Sequence, residues 1–168
     1  MRDLTRANAS RPAWKQLEEE GFEIFTPMVW KIKTRKGRKE RELTPVIHDL
    51  LFVNSTREAL DPIVGKIPTL QYRFVRGGKF GEAMTVNEQD MQRFMLAVGS
   101  SEDVLFYSPA ELTSSMIGKK VVIIGGPLDG FEGNLLSLKG MRKRRLLVEL
   151  PGMLTSAVEV SPEFIKFV

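Results

Sequence analysis

The chain has 168 residues, which is enough for one domain of ordinary size or two small ones. Hydrophobic residues make up 42% and charged residues 27%, a soluble globular composition, and no apolar run approaches the roughly 20 residues of a membrane helix. With no cysteine, a disulfide framework and a thiolate zinc site are excluded, and the formal charge of +4 is too small to mark a polycation.

The first residues, Met1-Arg2-Asp3-Leu4, lack the apolar core of a signal peptide. Together with the missing membrane span, this predicts a cytoplasmic protein with no membrane partner. The basic residues form two clusters, one within residues 31–41 and one at residues 142–145. Each cluster can be a solvated loop whose charges discourage pairing between exposed strand edges, or it can be a phosphate-binding site. The sequence leaves both readings open.

The first helix is predicted from Pro12 to Gly21. Ser10 precedes it, and proline is tolerated in the first turn because the N–H there has no intrahelical partner. Trp14 and Leu17 lie three residues apart, as one face of a helix requires.

After this helix the apolar pattern changes to a period of two, which predicts strands over 22–25 and 29–33. The basic stretch around Gly37 then forms the tip of a hairpin that returns from Leu43. The continuous apolar run at 50–53 predicts a central strand that is buried on both faces.

Ser55 and Glu58 have the spacing of a capping box, which predicts a second helix to about Val64 with Ser55 as its cap. Alternation predicts a strand over 72–75, and Asn87 opens a third helix. The apolar stripe of that helix consists of Met91, Phe94, Met95 and Val98, and Gly99 ends it. The order of elements predicts an α+β sheet with flanking helices.

Residues 100–116 are richer in serine and acid and predict a linker. The remaining segment has strand patterns separated by turns, which predicts a small closed or nearly closed all-β barrel. Those patterns cover residues 119–124, 133–138, 145–150 and 157–160.

Catalysis is not expected. The sole histidine, His48, adjoins Asp49, but neighbours on a strand point to opposite faces and do not converge. The glycine-rich bend between residues 125 and 133 lacks the following lysine and the helix of a phosphate loop. It is better explained as a tight β turn. We expect no metal and no cofactor.

The C-terminal segment resembles a KOW domain, an SH3-like barrel. The resemblance lies in residues 118–124, followed by Gly126-Pro127, Gly130 and the closing Gly133. Domains of this kind occur in ribosomal proteins and in transcription elongation factors.

The segment before it resembles the NusG N-terminal (NGN) domain. The resemblance lies in Gly21–Met28, the basic hairpin, Pro45–Val53 and Tyr72–Gly77, and it is closest to the specialised UpxY-type antiterminators of capsular polysaccharide loci. It implies an NGN domain over 1–99, a linker over 100–116 and a KOW domain over 117–168. Such domains usually begin with a Trp-Tyr strand, so a truncated start is expected here.

The resemblance implies a non-catalytic, monomeric factor that docks on the clamp helices of RNA polymerase and touches the non-template DNA strand, suppressing pausing and termination. The matching polymerase-binding positions are Ile47, Leu50, Phe52 and Tyr72, and the matching DNA-binding positions are Arg6, Asn8, Arg11, Arg73 and Arg76. The KOW domain would bind a partner such as ribosomal protein S10. The alternative is a KOW-type RNA-binding ribosomal or ribosome-assembly protein, which would depend on the basic clusters.

Overall fold

The computed structural model describes residues 1–6, 9–35 and 37–168. Contacts between residues divide the chain into two compact units, Met1–Thr85 and Val86–Val168. Both combine helix with antiparallel strands, so the predicted α+β class is confirmed. Within the described residues, none of the helices has the length and apolar character needed to cross a membrane.

Among its described residues, the first unit contains two helices and three antiparallel strand pairs, β1–β6, β2–β5 and β3–β4. The helices are α1 (Ala13–Glu19) and α2 (Arg57–Lys66). The strands are β1 (Arg2–Asp3), β2 (Glu23–Phe25), β3 (Met28–Arg35), β4 (Arg38–Pro45), β5 (Phe52–Asn54) and β6 (Leu70–Gln71).

The core of the first unit lies between the two helices. Its buried members are Ala13, Leu17, Leu51, Leu60, Ile63, Ile67 and Leu70. They come from α1, from α2, from the segments that lead into β5 and β6, and from β6 itself. Burial of these side chains is the main force that holds the short strand pairs together, because isolated two-stranded pairs are marginal in water.

The N-terminal residues form a strand. Arg2 pairs with Gln71, and the buried Asp3 carboxylate accepts hydrogen bonds from the backbone N–H groups of Thr5 (2.9 Å) and Trp14 (3.1 Å). Asp3 thereby satisfies a free N–H of the first turn of α1, where Pro12 offers no side-chain cap.

The predicted cap of α2 and the predicted central strand at 50–53 were wrong. The cap of α2 is Thr56, whose hydroxyl accepts from Ala59 N–H, and not Ser55. The apolar run at 50–53 is not a central strand: Leu50 and Leu51 are buried ahead of a three-residue strand that pairs with β2 alone among the described strands. Burial of a loop in the core gives the same apolar run as a strand covered on both faces.

The second unit has one long helix, α3 (Glu88–Gly99), and one antiparallel sheet. Asn87 caps the helix as predicted, accepting from Gln89 N–H at 2.8 Å. The sheet has the strand order β12-β8-β9-β10-β11-β7. Its strands are β7 (Leu105–Tyr107), β8 (Ile117–Ile123), β9 (Glu132–Leu136), β10 (Arg145–Leu150), β11 (Leu154–Glu159) and β12 (Ile165–Phe167).

The segment around α3 differs from the predicted division of the chain. The helix packs on β10 and β11 of the second unit, and Arg93 donates to the backbone oxygen of Glu132 at 2.7 Å. The predicted linker over 100–116 contains β7, which pairs with β11. An apolar stripe predicts that a helix is covered, but it does not predict by which strands.

The glycine-rich bend connects β8 to β9, which confirms the prediction of a tight β turn. Gly126 and Gly130 have φ angles of 71° and 78°, which glycine adopts without strain. A Cβ at Gly126 would lie 2.9 Å from the Phe164 ring, and one at Gly133 would lie 2.8 Å from the Leu147 backbone oxygen. The glycines therefore serve backbone geometry and close approach.

Candidate functional site

The segment that precedes β5 is fixed by Asp49. The Asp49 carboxylate forms ion pairs with Arg2 of β1 (3.3 Å) and with Arg73 after β6 (3.1 Å). Arg73 also donates to the backbone oxygen of Asp49 at 3.2 Å. These contacts hold residues 46–50 beside the start of the segment that follows β6.

The four predicted polymerase-binding residues do not have equal access to solvent. Leu50 is buried at 5% exposure, and its backbone oxygen accepts from the Thr26 hydroxyl at 3.0 Å. Ile47 is half-buried. The buried Leu50 therefore anchors the segment to the rest of the unit, whereas Ile47 offers apolar surface to solvent.

Phe52 and Tyr72 are both half-buried but face different neighbours. The Phe52 ring lies 6.2 Å from that of Phe25, on the face of β5 opposite to Val53, which packs on the core. Tyr72 packs against the core, and its hydroxyl donates to Asp61 at 2.7 Å. Burial, together with this hydrogen bond, raises the pKa of Tyr72 to about 12, so the hydroxyl stays a donor at neutral pH.

A hydrogen-bonded loop follows Tyr72. Its backbone is closed by Met84 N–H to Arg73 O (2.7 Å) and by Val75 N–H to Glu82 O (2.9 Å). From α2, Arg57 donates to the backbone oxygen of Gly81 at 2.8 Å. The loop is therefore closed by its own backbone hydrogen bonds and is also attached to α2 through Arg57.

This loop exposes aromatic rings beside cations, a feature that the sequence analysis did not single out. Phe80 is fully exposed, Phe74 is 52% exposed, and Arg76 and Lys79 are exposed between them. The alternation at 72–75 predicted a strand, and strands usually cover one face. In the structure only Phe74 makes a bridge there, to Ala83, so the rings stay uncovered.

The predicted DNA-binding cations fall into two groups. Arg11 is paired with Glu19, and Arg73 is held by Asp49. Arg6 and Arg76 are exposed, with no ion pair among the residues that the structure describes. Asn8 lies outside the described residues.

The predicted DNA-binding residues do not form one surface. Because β1 and β6 are antiparallel, Arg6 and Arg73 leave that ladder from opposite ends, so the structure does not bring the set together.

The basic hairpin has two different faces. On one, the cations lie opposite carboxylates, and Lys33 pairs with Glu42 at 2.8 Å. On the other, Trp30, Ile32 and Leu43 are exposed, and the Arg41 guanidinium lies 5.1 Å from the centre of the Trp30 ring. The paired carboxylates favour a solvated face over phosphate binding for the lysines.

His48 is exposed, and its neighbour Asp49 is already engaged by two arginines. Within 1–6, 9–35 and 37–168, no cluster of three or more histidine, aspartate or glutamate side chains is arranged to hold a metal ion.

Comparison with protein families gives a match over the first part of the chain. The sequence model of the family described as transcription termination factor NusG matches residues 4–95, which is more than half of the chain. The chain belongs to the NusG family. Members of this family act in transcription elongation and termination and bind RNA polymerase. No curated protein matches the chain significantly.

The NusG-family match covers both predicted surfaces of the first unit, from Arg6 to Arg76, and ends inside α3. It therefore includes the segment held by Asp49 and the aromatic loop. The strands of the second unit lie beyond the matched residues.

Proposed function

We propose that this NusG-family chain is a non-catalytic elongation and antitermination factor. In this role it binds the clamp helices of RNA polymerase and the non-template DNA strand, and so suppresses pausing and termination. The observation that carries the proposal is the family match over residues 4–95, which contains every residue of both candidate surfaces. Such a role places the protein with the polymerase in the cytoplasm.

The proposed polymerase surface consists of Ile47, with Phe52 and Tyr72 as further half-buried side chains. A groove that receives a helix needs apolar side chains that are partly exposed and rigidly held. Ile47 meets the first condition, and the Asp49 ion pairs with Arg2 and Arg73 supply the second. Leu50 contributes by packing beneath the segment.

Replacing Ile47 with glutamate is expected to weaken binding to the polymerase clamp-helix fragment at least about tenfold, because a carboxylate would be desolvated in an apolar interface. The measurement is a titration by calorimetry or biolayer interferometry. Ile32→Glu is the matched control, because Ile32 is 71% exposed on the hairpin. Tryptophan fluorescence in urea checks that both variants fold.

Equal binding by Ile47→Glu and Ile32→Glu would reject this surface. Recovery of ribosomal RNA without polymerase from cell extracts would instead favour the alternative, an RNA-binding ribosomal or assembly protein.

The DNA surface combines the exposed Arg76 and Lys79 with the rings of Phe74 and Phe80. Proteins that bind single strands use cations for the backbone and aromatic side chains on which bases stack. Arg6 is exposed as well, but it leaves the β1–β6 ladder at the end opposite to this loop. Arg73 acts mainly by holding Asp49 and with it the polymerase-binding segment.

Phe80→Ala is expected to weaken binding to a single-stranded DNA oligonucleotide about fivefold or more, the lower end of the loss of one base stack. Because Phe80 is fully exposed, the change should leave folding intact. Arg76→Ala should weaken binding and flatten its salt dependence. Arg11→Ala, which removes a cation already paired with Glu19, is the control. Fluorescence anisotropy measures the affinity of all three variants for the oligonucleotide. If Phe80→Ala and Arg76→Ala both bound as tightly as wild type, this surface would be refuted.

The second unit is proposed to be a KOW domain that recruits a protein partner such as ribosomal protein S10. The resemblance to UpxY-type factors extends the proposal to operons for polysaccharide biosynthesis. A transcription profile of a strain that lacks the protein tests this: loss of promoter-distal transcripts in such an operon is expected, and an unchanged profile would contradict it.

A further inference from the structure

A groove of about 330 Å³ lies on the second unit, and all of its lining residues belong to that unit. It is bounded by the beginning of β8, the end of β9, the loop that leads to β10, and β12. The volume is at the lower end of the range for small-ligand pockets, about 300–1,000 Å³, so the groove can receive individual side chains of a partner. None of these residues belongs to the surfaces proposed above for polymerase or for DNA.

The apolar part of the lining is mainly aliphatic. Leu135 and Leu136 are buried, whereas Leu138 is exposed and Met141 is half-buried. Phe167 is 57% exposed at the edge of the groove and is the one aromatic side chain among the described residues that line it. Burial of an aliphatic side chain against this surface is favourable in proportion to the apolar area that it removes from water. The lining therefore suits a ligand that carries aliphatic side chains.

The charged part of the lining is basic. Lys143 is held by Glu159 at 2.6 Å, but Arg144 is exposed and has no ion pair among the described residues. The Lys119 ammonium lies 5.6 Å from the centre of the Phe167 ring and is exposed as well. Among the described residues that line the groove, none is an aspartate or a glutamate. Because complementary charge selects a partner, Lys119 and Arg144 favour a ligand that carries carboxylates.

The strand beside the groove, β12, has an open edge. The Val168 N–H donates to the Lys120 backbone oxygen at 3.3 Å, which turns the backbone of Val168 toward β8. Because successive residues of an antiparallel strand turn their backbone groups to alternate sides, those of Ile165 and Phe167 point away from β8. Among the described strands, β12 is the end of the sheet, and no strand pairs with this side. It therefore presents unpaired donors and acceptors to which another strand can be added.

We propose that an extended, acidic segment of a partner protein adds to the open edge of β12. It places an aliphatic side chain in the groove and its carboxylates against Lys119 and Arg144. In strand addition, main-chain hydrogen bonds give affinity, and pockets for alternate side chains give specificity. The basic lining disfavours a second copy of this edge, which itself carries Lys166. The proposal deepens the role of the second unit in recruiting a protein partner, and it rests on that role.

Two features of the site favour a peptide over a nucleic acid strand. The open backbone groups of Ile165 and Phe167 alternate as donors and acceptors, which a peptide backbone complements and a phosphodiester backbone does not. Single-strand binding stacks successive bases on aromatic side chains, whereas Phe167 is alone among aliphatic residues here. The groove is therefore better matched to aliphatic side chains on a strand.

The test uses the full chain and a short fluorescein-labelled peptide that repeats Glu-Asp-Leu, titrated by anisotropy. Arg144→Ala is expected to weaken binding about fivefold or more, the loss of one well-placed interface side chain. Arg142→Ala is the matched control and should bind as wild type does, because Arg142 lies in the same loop but does not line the groove. A peptide with alanine in place of leucine should bind about tenfold more weakly. A peptide with glutamine and asparagine in place of the acids should also bind more weakly.

Amide hydrogen exchange followed by NMR tests the strand addition itself. The Glu-Asp-Leu peptide should slow exchange at Ile165 and Phe167, and a peptide that is N-methylated on alternate residues should bind more weakly because it lacks donors. Phe167→Leu, which removes the ring but keeps apolar bulk, should bind the peptide within about twofold of wild type.

Three results would overturn the proposal. The first is the absence of saturable binding of the Glu-Asp-Leu peptide, and the second is equal binding by wild type and Arg144→Ala. The third is displacement of the peptide by oligouridylate whose own binding requires the Phe167 ring, which would assign the groove to nucleic acid. Because the titrations contain no polymerase, failure of the elongation role would leave them unchanged, and their failure would leave that role standing.

Discussion

Asp103→Ala is expected to lower the free energy of unfolding of the second unit by about 2–3 kcal/mol. The Arg145 side chain is 6% exposed and donates to the Asp103 carboxylate at 2.5 Å. Removing one partner of a fully buried pair costs about 3–5 kcal/mol. The cost is smaller here because the Asp103 side chain is 56% exposed and because the backbone oxygens of Asp103 and Ala157 also accept from Arg145. Urea denaturation followed by circular dichroism measures the loss.

Glu102→Ala is the matched control for this change, because it removes a neighbouring carboxylate that is exposed. Its effect should stay within about 0.5 kcal/mol. Equal destabilisation by the two variants would show that net charge, and not the contact with Arg145, is responsible.

The effect of Asp103→Ala should depend on pH. The hydrogen bond from Arg145, more than any other interaction, holds the pKa of Asp103 below its usual range. A carboxyl whose pKa is lowered by folding stabilises the folded state above its unfolded pKa, about 3.9, and loses that contribution as the pH falls through the lower folded value. The difference between wild type and Asp103→Ala should therefore be full at pH 7 and shrink below about pH 4.

Phe94→Ala is expected to destabilise the second unit by about 3–5 kcal/mol and to leave the first unit unchanged. Phe94 is fully buried in α3, which packs on β10 and β11, and its truncation leaves a cavity there. Both tryptophans, Trp14 and Trp30, lie in the first unit, so their fluorescence reports on that unit alone. Amide hydrogen exchange of β10 and β11 reports on the second.

The control is Leu96→Ala in the same helix, since Leu96 is 54% exposed and should cost less than about 1 kcal/mol. If Phe94→Ala moved the tryptophan transition as far as it moved exchange in β10 and β11, α3 would belong to the first unit, as the sequence predicted. A shift confined to the second unit would assign α3 to the strands it contacts here.

Some of the candidate site was open to prediction from sequence, and some was not. Ile47, Phe52 and Tyr72 came from the resemblance to the NusG family, and Arg6 and Arg76 are exposed cations that need no tertiary contact to be recognised. The exposure of Phe74 and Phe80 was not predicted, because an alternating apolar pattern indicates a covered face. Only the loop closed at Arg73 and Met84 leaves those rings in solvent.

The sequence by itself determined the features that depend on neighbouring residues. The Asn87 cap of α3, the hairpin of β3 and β4 and the glycine bend between β8 and β9 all follow from local conformational preferences. The residues that carry the family resemblance are likewise local segments. These features can be predicted without knowledge of the fold, because each depends on residues that are close together in the chain.

The tertiary structure alone decided which surfaces meet. Pairing of β7 with β11, packing of α3 on β10 and the contact between Asp103 and Arg145 all join residues that are distant in sequence. Residues 100–116 were predicted as a linker because periodicity and composition indicate whether a segment can be buried, but not what covers it. That choice is made by long-range packing, which no local pattern encodes.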